Sequence, residues 1–118
     1  MRLKIPGVPP SINAFVGRKN VWEYRDAKKK WTEAVQWAVK AARWKDEPLQ
    51  HARVVVTYHF ARGGRHDPDN YAGKFLLDGL TRAGVIVDDD MEHIVLEIRG
   101  DKGGIAWTEI EVIDDADR

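Results

Sequence analysis

The spacing of apolar residues along the chain predicts two helices. Apolar residues recur at helical spacing from Trp31 onward, which predicts a first helix over residues 26–44 with Asp26 as its N-cap. Leucines recur at the same spacing further along and predict a second helix over residues 69–83, which Gly84 can end. Each helix therefore has one apolar side that must pack against another element.

Short runs of β-branched and aromatic residues predict the strands. Such runs cover residues 2–5, 53–60, 85–87, 93–100 and 105–113. The last two runs flank the turn sequence "DKGG" and are predicted to form an antiparallel hairpin. The order of strands and helices predicts one compact domain of the α/β (α+β) class, in which two main helices pack against a mixed sheet.

The length and composition agree with a single domain. The chain has 118 residues, of which 43% are hydrophobic and 32% charged, and a chain of this size buries one core. No apolar run approaches the roughly 20 residues that a membrane-spanning helix needs, and the sequence has no cysteine. We therefore expect no membrane partner and a cytoplasmic location, with residues 1–113 as the domain and 114–118 as a short acidic tail.

The charges balance overall but are segregated along the chain. Nineteen basic and nineteen acidic residues give a net charge of zero, without the basic excess that is typical of strong nucleic-acid binders. Basic residues cluster in 17–20, 28–31 and 61–66, and acidic residues in 88–92. The chain can therefore present a basic surface beside an acidic pocket. The five tryptophans are more often core or interface residues than base-stacking platforms, so we assign none to DNA.

Five aspartates form the candidate site. Two stand at the start of the second predicted helix and three follow its end: Asp67, Asp69, Asp88, Asp89 and Asp90. Taken alone, the first pair is explained by helix capping and the triplet by a solvated turn. In one α/β unit, however, the two groups are expected to meet at one edge of the sheet. Close carboxylates repel each other unless a cation is present, and oxygen ligands suit Mg²⁺ or Mn²⁺.

Basic residues flank these carboxylates in the sequence. Arg62, Arg65 and Lys74 surround the first pair, and a metal held by aspartates among cations suits phosphodiester hydrolysis. Lys74 has an equally simple interpretation, which is an ion pair with Asp78 one helical turn later. His66 is a minor candidate for a general acid.

Three motifs carry a resemblance to a known family. They are "PPSIN" (9–13), "RHDPDNYAGKFLLDGLTRAGVIVDD" (65–89) and "KGGIAWTEIEV" (102–112), and together they touch most of the chain. With these motifs the chain resembles the RusA family of Holliday junction resolvases. The resemblance implies a RusA-like fold and a homodimeric, Mg²⁺-dependent crossover junction endodeoxyribonuclease. Such an enzyme acts in DNA recombination and repair by making paired symmetric nicks in four-way junctions, which leave 5′-phosphate and 3′-hydroxyl ends.

The resemblance also implies roles for particular residues. The essential acidic positions of the family fall on Asp67, Asp69 and Asp89, with Asp88 and Asp90 open as alternative metal ligands. The catalytic lysine falls on Lys74, five residues after the second aspartate, where the family pattern has four.

DNA contacts are predicted from the basic segments and from the first motif. The residues are Asn13, Arg18, Lys19, Arg62 and Arg65, of which the basic ones would bind phosphates without reading sequence. Three alternatives stay open: a branched-DNA-binding protein without catalysis, a nuclease that acts on another DNA structure, and a small interaction domain with capped helices and an acidic loop.

Overall fold

Apart from the predicted strand at 85–87, strands and helices follow one another in the order that the sequence predicts. The structure, a computed structural model, describes residues 1–11, 21–61 and 73–116. Its elements are β1 (Arg2–Pro6), α1 (Val21–Ala41), β2 (Ala52–Phe60), α2 (Lys74–Arg82), β3 (Ile94–Lys102) and β4 (Trp107–Asp114). The predicted α+β class, one compact domain with a mixed sheet and two helices, is confirmed. No helix in the described ranges is long and apolar enough to cross a membrane.

The four strands are ordered β1-β4-β2-β3 across the sheet. β4 lies between β1 and β2 and runs antiparallel to both, whereas β3 pairs in parallel with the other edge of β2. The predicted hairpin of β3 and β4 is therefore wrong. After β3 the chain turns at Gly103 and Gly104, which both have positive φ, and the N–H of Gly103 donates to the carbonyl of Phe60 at the end of β2. The chain thus crosses the end of β2 before β4 begins.

The burial of the two strands gives a physical reason for this crossover. In β4 every second residue is buried, namely Thr108, Ile110 and Val112. A central position in the sheet buries these side chains in the core and lets the backbone hydrogen-bond to a strand on each side. In β3 only Ile94 is buried, and a mostly exposed strand suits the edge of a sheet.

The helices cover one side of the sheet and form the core with it. α1 buries Trp31, Val35 and Val39, and α2 contributes the predicted leucines, in one cluster with alternate residues of the strands. The other side of the sheet carries charged pairs such as Arg2 with Glu111. Among the described residues, helices therefore cover one side of the sheet only.

Several predicted boundaries are wrong for local reasons. α1 begins at Val21, so Asp26 lies inside the helix and is not its N-cap. α2 begins only after Gly73, whose φ of 75° is left-handed and therefore not helical. It ends before Gly84 as predicted, where φ is 78°. Residues 85–87 form no strand but a single bridge between Ile86 and Leu49, and β4 spans Trp107–Asp114 where the predicted strand covers 105–113.

A close helix crossing fixes α2 against α1. Gly79 of α2 faces Val35 and the backbone carbonyl of Thr32 in α1, and a Cβ on this glycine would lie 2.5 Å from the Val35 Cβ. Tyr24 and Phe75 make an edge-to-face ring contact nearer the start of both helices, with centroids 5.4 Å apart. The crossing therefore sets the N-terminal half of α1 beside the first turns of α2.

Candidate functional site

The structure describes four of the predicted site residues: Lys74, Asp88, Asp89 and Asp90. The others lie outside the described residues: Asn13, Arg18, Lys19, Arg62, Arg65, His66, Asp67 and Asp69. The expected meeting of the first aspartate pair with the triplet is therefore still a prediction. The geometry of the triplet and of Lys74 can be given in detail.

Asp89 lies among other carboxylates. It is half-buried, and its backbone N–H donates to Oδ1 of Asp88 at 2.8 Å. The pKa of the Asp89 carboxyl is raised, mainly by burial, then by a hydrogen bond with the Asp88 side chain, with the negative charges of Asp78 and Asp88 adding to the shift. The Asp89 carboxyl is thus close enough to Asp78 of α2 and to Asp88 for their charges to act on it, and a cation would relieve this repulsion.

One cation reaches this cluster from α1. The Nζ of Lys28 lies 3.7 Å from Oδ2 of Asp78, whose side chain is 25% exposed. Within the described part of the chain, the ion pair of Asp78 is thus made by Lys28 and not by Lys74. Lys74 lies exposed at the first position of α2, one helical turn before Asp78. The simple explanation of Lys74 as the ion-pair partner of Asp78 therefore does not hold in this structure.

Asp90 anchors the turn that leads into β3. Its Oδ1 accepts the backbone N–H groups of Glu92 at 3.0 Å and of His93 at 3.1 Å, and it lies 2.6 Å from Nδ1 of His93. The pKa of the Asp90 carboxyl is lowered, mainly by this hydrogen bond from the His93 ring. One oxygen of Asp90 thus accepts two backbone N–H groups, and one oxygen of Asp88 accepts one, whereas the Asp89 carboxyl is influenced by the charge of Asp78 in α2.

The lowered pKa of Asp90 predicts a pH-dependent contribution to stability. A carboxyl with a depressed pKa in the folded state stabilises the fold above its unfolded pKa of about 3.9, and this contribution is lost as pH falls through the folded value. The difference in Tm between wild type and Asp90→Asn should therefore be largest near neutral pH and shrink below about pH 4. Thermal melts across this range test it, with His93→Gln as the control that removes the partner. A difference that stays constant down to strongly acidic pH would contradict the prediction.

The side chains of the triplet have the donor chemistry that Mg²⁺ or Mn²⁺ prefers. Asp88, Asp89 and the neighbouring Asp78 offer carboxylate oxygens, and hard divalent cations bind such oxygens. Among the residues that the structure describes, no group of three or more such side chains stands ready to hold an ion. The site as predicted also needs Asp67 and Asp69, which lie outside that part of the chain.

Two residues of this cluster were missed by sequence reasoning. Asp78 appeared there only as an ion-pair partner, although its spacing of four residues from Lys74 puts both on one side of a helix. Lys28 carried no such signal, because its contact with Asp78 depends on how α1 crosses α2.

Comparison with known proteins adds no family to this description. A scan against protein-family models and a search of the curated proteins both found no match for the chain.

Proposed function

We propose that this chain is a Mg²⁺-dependent endonuclease of the RusA type that cuts branched DNA, with the four-way junction as its substrate. One described observation carries the proposal: the charges of Asp88 and Asp78 help to raise the pKa of the half-buried Asp89 carboxyl, with Lys28 paired to Asp78 and Lys74 one turn away on the same helix. Crowded carboxylates with cations at their margin suit phosphoryl chemistry better than they suit a solvated turn. The sequence motifs around Asp67 and Asp69 supply the rest of the argument.

The metal would be held by Asp89 together with Asp67 and Asp69, with Asp88 as a neighbouring donor. Asp90 is a weaker choice, since one of its oxygens already accepts two backbone N–H groups. When bound, the ion would supply a Lewis acid that lowers the pKa of water and neutralises charge on the phosphate.

The protein's own cations have separate tasks in this proposal. Lys74 is exposed, so its ammonium can reach a phosphate of the substrate and stabilise the charge that develops during cleavage. Lys28 instead holds Asp78 through an ion pair between the two helices. It thereby holds the Asp78 carboxylate, whose charge acts on Asp89.

Paired nicks require two active sites, and a two-fold homodimer would supply them by symmetry. Arg18, Lys19, Arg62 and Arg65 would bind phosphates of the junction arms, and Asn13 would approach the DNA near them. Action on DNA also accords with the cytoplasmic location that the cysteine-free sequence predicts.

Removal of the metal is the direct test of this proposal. We expect wild-type protein to nick a synthetic four-way junction with Mg²⁺ and to lose this activity in EDTA. A gel-shift assay in EDTA should still detect the complex of the protein with the junction. Asp69→Asn should be inactive with Mg²⁺, whereas Asp46→Asn, an exposed aspartate beyond the end of α1, should cut normally. Binding without any nicking in Mg²⁺ or Mn²⁺ would favour the alternative of a branched-DNA-binding protein. Faster cleavage of a flap or mismatch than of the junction would favour another nuclease class.

A further inference from the structure

Two tryptophans of α1 are exposed, although the sequence reading gave all five to cores or interfaces. Trp22 is 74% exposed and Trp37 is 68% exposed. Fifteen residues separate them, which is just over four helical turns, so both side chains project from the same side of α1, about 22 Å apart. Burial in the core therefore does not explain either residue.

A basic side chain accompanies each of these rings. The guanidinium of Arg25 lies 5.4 Å from the ring centroid of Trp22, and Nζ of Lys40 lies 5.3 Å from that of Trp37. Between the two pairs the helix exposes Lys29 and Lys30. We call the set of Trp22, Arg25, Lys29, Lys30, Trp37 and Lys40 the outer surface of α1.

The composition of this surface favours nucleic acid over a protein partner. The cores of protein–protein interfaces are enriched in aromatic residues but depleted in lysine, whereas here three lysines accompany the tryptophans. Single-stranded nucleic acid is bound by aromatic rings that stack on bases and by cations that contact the phosphates beside them. Asp26 and Glu33 are exposed on the same side of the helix, so phosphate contacts belong to the basic residues around each ring and not to the whole surface.

The position of α1 connects this surface with the candidate site. Lys28 of the same helix pairs with Asp78, and Tyr24 packs on Phe75 beside the first residue of α2. The end of α1 that carries Trp22 is thus the end nearer to Lys74. DNA that lies on the outer surface would extend from the candidate site along the helix.

We propose that the outer surface of α1 binds unpaired DNA strands, with Trp22 and Trp37 stacking on bases and Arg25 and Lys40 contacting the adjacent phosphates. This inference rests on the proposed action on branched DNA and adds to it the strand type that the enzyme holds beside the cut. Bases inside a duplex are already stacked on each other, so the surface should prefer single-stranded arms or unpaired bases at a branch point.

Binding of a single-stranded thymidine 20-mer in EDTA tests the proposal without any cleavage. Intrinsic tryptophan fluorescence should be quenched on binding, and Trp22→Ala and Trp37→Ala should each weaken the affinity about ten-fold. Trp22→Phe and Trp37→Phe should largely restore it, because a phenyl ring still stacks. Ile105→Ala changes an exposed apolar residue outside this surface and should bind as wild type does.

Three results would overturn the inference. They are unchanged affinity in both alanine variants, equal affinity for a 20-base-pair duplex, or a change in oligomeric state in place of a change in DNA affinity. Because the assay contains no divalent metal, it can fail while junction nicking succeeds. It can also succeed when the chain cuts nothing, so the two proposals fail separately.

Discussion

Gly79→Ala is expected to destabilise the fold by about 1–3 kcal/mol, as overpacking of a close contact does. The sign of the change in unfolding free energy is informative, because a Gly→Ala substitution at an exposed helix position stabilises the helix by about 1 kcal/mol. Here the added Cβ would lie 2.5 Å from Cβ of Val35 and 3.1 Å from the carbonyl oxygen of Thr32. Neither atom is the end of a flexible side chain, so α1 and α2 would have to move apart. Urea denaturation of the two proteins measures the difference in unfolding free energy.

Gly100→Ala is the matched control for this prediction. Of the residues that the structure describes, its added Cβ would meet only Phe60, at an ordinary contact distance of 3.7 Å, so we expect little change in stability. In the double variant with Val35→Ala, the cost of Gly79→Ala should shrink, since the atoms that the new methyl meets are partly removed. If Gly79→Ala were as stable as wild type, the close helix crossing would be wrong.

The same crossing illustrates what the sequence could and could not predict about the fold. The buried leucines of α2 follow from helical spacing, and the strands follow from β-branched runs, because both signals are local. The order of the strands is not local. The turn sequence "DKGG" fits a hairpin between β3 and β4 as well as it fits a crossover. Which connection forms depends on β4, whose alternate buried residues favour a position in the centre of the sheet. The start of α2 also shifted, because a glycine with positive φ interrupts the predicted pattern at Gly73.

The candidate site was predictable in its residue types but not in its internal roles. The sequence predicted the triplet as carboxylates that need a cation and favoured Asp89 by resemblance, yet it left Asp88 and Asp90 open as alternative ligands. Their difference comes from the turn before β3, where the backbone N–H groups that Asp90 accepts lie two and three residues ahead of it. The tryptophans show the same limit, since the sequence described all five as core or interface residues, and only the structure separates the buried Trp31 from the exposed Trp22 and Trp37.

Asp89→Asn is expected to lower the rate of junction nicking about 100-fold or more, the scale of losing one group that stabilises a transition state. The substitution keeps the shape of the side chain but removes the charge from the half-buried carboxylate that faces Asp88 and Asp78. Gel-shift affinity for the junction in EDTA should stay equal or rise slightly, because one negative charge near the phosphates is lost. Single-turnover nicking rates, measured with enzyme in excess over a range of Mg²⁺ concentrations, separate weakened metal binding from a slower chemical step. Weakened binding is restored by more Mg²⁺, whereas a slower chemical step is not.

Three comparison variants, Asp90→Asn, Asp78→Asn and Lys28→Gln, are needed to interpret the result for Asp89→Asn. Asp90→Asn should lower the melting temperature but leave the nicking rate of the folded protein near that of wild type, because its carboxylate holds the turn. Asp78→Asn and Lys28→Gln should each raise the Mg²⁺ requirement about ten-fold, the lower range for residues that support a metal ligand. An inactive Asp90→Asn beside an active Asp89→Asn would reverse the assignment within the triplet. Full nicking activity in both Asp89→Asn and Asp90→Asn would remove the triplet from the active site. The carboxylates near Asp89 would then contribute to the fold alone.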